Sequence, residues 1–118
     1  MLYDKAHELA KAIRYSPEYR QYKEAKERVG QNSDSMKILQ DFHAKQLEIQ
    51  TMQMLGKEIP AEKMKEYERM AELLNFHPSV RDFLQAEYRI IQIMTDIQKI
   101  IAEALDFQLP QADNTANG

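Results

Sequence analysis

Between Pro78 and Phe107 the chain reads PSVRDFLQAEYRIIQIMTDIQKIIAEALDF, and the spacing of its apolar residues predicts one long amphipathic helix. At 100° per residue, Phe83, Ile90, Ile93, Met94, Ile97, Ile100, Ile101 and Ala104 fall together, with Val80, Leu84 and Ile91 extending the same side. The arc is about 200° wide, roughly twice the stripe a helix needs to rest on one neighbour. Such a helix has to be covered from more than one side. At 118 residues the chain is a single domain with a modest core, so a second subunit is an expected source of that cover.

The rest of the chain breaks into shorter helical segments. Leu2, Ala6, Leu9 and Ile13 recur at spacings of four, three and four, the pattern of a short amphipathic helix. Ser16-Pro17 then breaks and restarts the chain, with Ser16 as N-cap and Pro17 in the first turn. The second helix is expected to reach Val29 and stop at Gly30. Its apolar side is thin and rich in tyrosine (Tyr19, Tyr22, Ala25, Val29), which predicts a position at the edge of the fold. A third helix over about 35–55, capped by Ser33 or Asp34, and a fourth over about 60–74 flank the connection Gly56-Lys57-Glu58-Ile59-Pro60, so they are expected to form an antiparallel hairpin. Met64, Tyr67, Ala71 and Leu74 mark the inner row of the fourth helix, and Asn75-Phe76-His77-Pro78 turns the corner into the last one.

These segments give an all-α, elongated antiparallel bundle of about five helices: one domain over 1–107 with a polar tail over 108–118. Lengths constrain it further. At 1.5 Å per residue the last helix spans about 45 Å, the third about 32 Å and the fourth about 23 Å. The hairpin therefore cannot cover the last helix from end to end. Either the two N-terminal helices or the same helix of another copy must cover the remainder, and a homodimer or higher oligomer is expected.

Composition removes several function classes. No cysteine is present, which excludes disulfides, thiolate metal sites and cysteine nucleophiles and points to a reducing compartment, the cytoplasm. The longest uncharged runs are too short to span a membrane. The formal charge is −3, which disfavours nonspecific nucleic-acid binding by the whole molecule. Residues 1–30 hold seven Lys/Arg against five Asp/Glu, so the N-terminal helices alone keep an RNA role open, through Arg20, Lys23, Lys26 and Arg28 interleaved with tyrosines. Glu18, Glu24 and Glu27 lie among those cations and weaken that signal.

No constellation specifies a reaction. His7, His43 and His77 stand on three separate segments without metal-ligand spacing, and Glu62/Glu66 and Glu68/Glu72 lack the Glu-x-x-His partner of carboxylate metal bundles. No phosphate-binding glycine loop is present, so neither cofactor nor metal is expected. Two features point to assembly. Glu87 lies inside the apolar arc, where a carboxylate is either paired or functional. On the third helix Gln46, Gln50 and Gln53 share or border the stripe of Met36, Leu39, Phe42 and Ile49, so their amides are either paired at an interface or left partly exposed. Phe42, Gln46, Ile49, Gln50, Gln53, Phe83, Glu87, Ile90, Met94, Ile97 and Ile101 are the candidate residues for self-association or partner docking. Around the hairpin tip, Met52, Met54 and Leu55 point to several sides of the helix, which leaves at least one of them for solvent or a partner.

Asp41-Phe42 followed by Gln46, Gln50, Gln53, Gly56 and Glu58 resembles the glutamine-rich hairpin of the YlbF/YmcA family of small helical Firmicutes proteins, most closely its YheA-like branch. The opening YDKAHELAKAIRYSPEYRQY and the later FLQAEYRIIQIMTDIQKII are similar to that branch's first and last helices, and the resemblance covers about residues 3–107. It implies an all-helical protein that self-associates. From the better-studied branches it implies non-enzymatic adaptor work in a complex that influences ribonuclease Y-dependent mRNA processing, competence, sporulation and biofilm formation. Some of those relatives carry cysteines linked to iron–sulfur clusters; this chain has none, so the cluster does not carry over.

Overall fold

The computed structural model describes residues 1–106, and all regular structure in them is helical. In order the elements are α1 (Leu2–Arg14), α2 (Pro17–Gly30), α3 (Ser33–Met54), α4 (Ala61–Leu73), a 3-10 turn (Leu74–Phe76) and α5 (Pro78–Leu105). The five-helix reading with a long final helix is observed. The tail expected over 108–118, and Phe107, lie outside the described residues.

Local chemistry sets the boundaries. The Ser16 hydroxyl accepts from the Tyr19 N–H at 3.2 Å and donates to the Ile13 carbonyl at 2.6 Å, so one side chain closes α1 and caps α2. Gly30 does not stop α2; it is the last helical residue, and Gln31 is the C-cap. The cap of α3 is Asn32, whose Oδ1 accepts from the Ser35 N–H at 3.0 Å, rather than Ser33 or Asp34, which lie inside the first turn. Gly56 ends the hairpin's first arm. With φ of +72° it occupies the left-handed region, and its N–H donates to the Gln53 carbonyl while the Lys57 N–H donates to that of Met52. These two bonds are those of a Schellman cap, which satisfies the last carbonyls of α3 and turns the chain towards α4.

Packing departs from expectation at α2. Instead of lying at the edge, α2 is the main partner of α5. Ala25 and Val29 are fully buried, and Tyr22 sets its ring 5.4 Å from that of Phe83. The physical reason is size: alanine and valine one turn apart let two helix backbones approach closely, while the half-buried tyrosine sets its ring against an aromatic neighbour at a tilt of 39°. These residues join Leu39, Phe42, Leu74, Val80, Phe83 and Ala86 in one core at the meeting point of α2, α3, the 3-10 turn and the first half of α5. The inner row of α4 is Met64, Tyr67 and Met70, continued by Leu74 of the 3-10 turn, with Ala71 turned to solvent. Tyr67 stacks on Phe42 at 5.3 Å.

The described chain is a slab of 48 × 38 × 17 Å with a radius of gyration of 17.5 Å. A compact domain of about 100 residues has a radius near 13 Å. The slab leaves much of its apolar surface without an intramolecular neighbour.

Candidate functional site

The candidate site begins beyond the N-terminal end of α2. The 3.4 Å approach of the Ser35 and Ser79 hydroxyls holds the start of α3, and hence the end of α2, beside the start of α5. With Tyr22 on Phe83, the two helices run antiparallel. α2 has 14 residues and α5 has 28, so α2 runs out opposite about residue 90 at 1.5 Å per residue. Burial follows the geometry: the buried residues of α5 are Val80, Phe83 and Ala86, and none lies beyond.

The apolar stripe of α5 does not stop there. Ile90, Met94, Ile97 and Ile101 continue the line of Phe83 and Ala86 along the helix. Past α2 it carries Met94, Ile100, Ile101 and Leu105, with Ile101 52% and Leu105 65% exposed. α1 is in the same condition: it has no buried residue, and Leu2 is 79% exposed. Two apolar helical arms thus extend beyond the core.

The expected interface residues divide accordingly. Phe42, Ile49 and Phe83 are buried in the chain's own core and support the surface from within. Met94 and Ile101 are exposed, and Ile90 and Ile97 are half-buried. Gln46 is half-buried, while Gln50 and Gln53 are turned to solvent, so within one chain the glutamine row is largely exposed. At the hairpin tip Met54 and Leu55 are exposed and Met52 is half-buried.

Glu87 is paired, and its partner is a histidine rather than a lysine or arginine. His43 Nε2 lies 2.9 Å from Glu87 Oε1, bridging α3 to α5, with the His43 ring edge-on to Phe83. The hairpin has its own clasp, in which Lys45 bonds Glu66 at 2.8 Å and Lys63 bonds Glu48. The Lys63 bond holds the Glu48 carboxyl below its ordinary range, the Lys45 bond does the same for Glu66, and the Glu66 bond holds the Lys45 ammonium above its own. These pairs fix helix against helix.

Arg20, Lys23, Lys26 and Arg28 are all exposed, spread around the outer side of α2 with Glu24 and Glu27 between them. His77 occupies the N-cap position of α5 without a capping side-chain bond. Among the described residues, no three His, Asp or Glu side chains converge to hold a metal ion, and no helix is long and apolar enough to cross a membrane. Sequence reasoning missed two surfaces. One is α1, whose stripe was visible but whose separation from the core was signalled only by the Ser16-Pro17 break. The other is the outer face of α5 at Arg81, Tyr88 and Arg89, which a wide apolar arc concealed.

Comparison with known proteins supports this arrangement as a family fold. A family model described as "Control of competence regulator ComK, YlbF/YmcA" matches residues 2–106. A UPF0342 protein of Halothermothrix orenii is 36% identical over 97% of both chains, and one of Desulfitobacterium hafniense is 40% identical over 92% of this chain and 88% of its own. A solved protein of unknown function (DUF964) from Bacillus stearothermophilus superposes with a TM-score of 0.75 at 22% identity, over 89% of this chain and 92% of that one, a likeness of fold.

Proposed function

The chain belongs to the family described as control of competence regulator ComK, YlbF/YmcA, and from that premise we propose that it is a non-enzymatic, cytoplasmic adaptor that works as a self-associated helical assembly. One observation carries the reading: the apolar stripe of α5 continues past the N-terminal end of α2 without a single buried residue, while α1 offers a second stripe with none buried. The two arms suit each other. α1 spans about 20 Å and the uncovered part of α5 about 22 Å at 1.5 Å per residue. Charge is also complementary, since Lys5, Lys11 and Arg14 outnumber the acids of α1, whereas Asp96, Glu103 and Asp106 outnumber Lys99 on the far part of α5. A second copy of the chain would bury both stripes by symmetric exchange. Family membership supports a regulatory role near competence control, and the resemblance to better-studied branches supports one in mRNA processing or sporulation.

Light scattering on the full chain at micromolar concentration tests the assembly. A mass of at least twice 13.9 kDa is expected; a stable folded monomer counts against it. A second reading, an RNA-associated factor, rests on the exposure of Arg20, Lys23, Lys26 and Arg28 along α2. Salt-sensitive binding of an RNA oligomer that disappears when Lys23, Lys26 and Arg28 become glutamate, with the fold intact, would favour it over the adaptor.

A further inference from the structure

On the side of α5 turned away from α2, an open groove of about 470 Å³ runs from Leu74 along Leu84 to Tyr88, with Arg81 and Arg89 on its rim. A second cavity of about 220 Å³ shares Phe42 and Leu74 with it and adds Met70 and Leu73. Apolar cavities of about 150 Å³ already accept a benzene ring, so there is room here for a leucine or phenylalanine side chain. Tyr88, 65% exposed, stands as a large amphipathic anchor with little of its area used by its own chain.

The two arginines are unspent. Neither makes an ion pair among the described residues. On α5 the neighbours three and four positions away are His77, Pro78, Leu84 and Gln85 for Arg81, and Gln85, Ala86, Gln92 and Ile93 for Arg89, so no carboxylate waits within helical reach of either. Glu87 is committed to His43 on another side of the helix, and Asp82 points about 100° away from Arg81. Asp41 and His77 line the smaller cavity, and neither lines the groove of the two arginines. In a chain of net charge −3, an acid-free groove lined by two unpaired guanidinium groups and an apolar floor is built for a specific anionic partner.

We propose that this groove docks an acidic amphipathic helix of a partner protein. Arg81 and Arg89 stand eight residues apart, about 12 Å along the helix axis. Carboxylates seven or eight positions apart on a helix laid alongside meet both arginines, and a leucine or phenylalanine between them falls into the space beside Leu74 and Leu84. A phosphate chain would satisfy the arginines but leave the apolar floor wet, so the groove favours a helix over nucleic acid.

The test uses the full chain and a synthetic helical peptide carrying two glutamates seven positions apart with two leucines between them, followed by amide chemical shifts. Shifts at Leu84, Gln85, Tyr88 and Arg89 are expected. Affinity should weaken about tenfold in Arg89→Glu, the size of a lost charge-assisted contact, and also when the peptide's leucines become alanine. Tyr88→Ala provides a second variant at an exposed position and should weaken binding with unchanged circular dichroism. The proposal is overturned by shifts that map elsewhere, by equal affinity of Arg89→Glu, or by a polyuridine oligomer shifting these residues where the peptide does not. It is equally overturned if Arg89→Glu lowers the mass of the assembly, which would give the groove to a second copy. Because the readout is peptide binding, it is independent of whether the arms of α1 and α5 self-associate.

Discussion

His43 Nε2 and Glu87 Oε1 meet at 2.9 Å across the junction of α3 and α5, the shorter of two side-chain hydrogen bonds between those helices among the described residues, the other joining the Ser35 and Ser79 hydroxyls at 3.4 Å. Apart from these bonds they share the core of Leu39, Phe42 and Phe83. The shorter bond sets the rotation of α5 against α3, and with it which face of α5 is left for the arm and which for the groove.

Removing that bond should loosen the junction without dismantling it. Glu87→Ala is expected to lower stability by about 1 kcal/mol, as for a partly exposed hydrogen-bonded pair. A double-mutant cycle with His43→Ala should return a coupling of at least ~0.5 kcal/mol by urea denaturation. A coupling of zero would mean that the pair contributes nothing to the junction.

Much of the fold was legible because its signals are local. Ser16-Pro17, Gly56 and Pro78 mark helix ends by backbone chemistry that does not depend on the partner. What was not legible is which helix lies on which. The apolar arc of α5 was evident, yet Phe83 and Ile101 belong to the same stripe and differ only in whether α2 reaches them. That depends on where antiparallel α2 runs out, a matter of register that periodicity does not encode. Tyr22 likewise looked like a rim residue, because composition does not reveal Phe83 beneath it.

Core and arm should respond differently to mutation. Phe83→Ala removes a buried ring and is expected to cost about 3–5 kcal/mol, enough to unfold a chain with so small a core. Loss of cooperative thermal unfolding would be the readout. Retention of a sharp transition within a few degrees of the wild type would show that the core lies elsewhere.

The two glycines at helix ends should behave oppositely. Gly56 has φ of +72°, so Gly56→Ala is expected to cost about 1 kcal/mol. Gly30 is helical and nothing lies within 4 Å of an added Cβ, so Gly30→Ala should gain about 0.5–1 kcal/mol. Thermal midpoints moving in the same direction for both would contradict the assigned caps.

The hairpin clasp predicts a stability plateau with two shoulders. Glu48 and Glu66 are held below their ordinary value of 4.5, so their contribution is complete above that pH and is lost as pH falls through the lower folded-state values. Lys45 is held above its ordinary 10.5, so its contribution is complete below that pH and is lost as pH rises through the higher folded-state value. Lys45→Met should reduce both shoulders in a profile of urea midpoint against pH. An unchanged acid shoulder would place it in other carboxylates.

The central claim is that the far half of α5 is finished by another copy of the chain, and sedimentation velocity on the wild type and Ile101→Asp tests it most directly. Ile101 is already 52% exposed within one chain, so an aspartate there leaves the fold intact but puts a charge into any interface on that stripe. The wild type should sediment as a dimer or larger and Ile101→Asp as a helical 13.9 kDa monomer. A monomeric wild type, or an Ile101→Asp variant that keeps the full wild-type mass, would contradict the account.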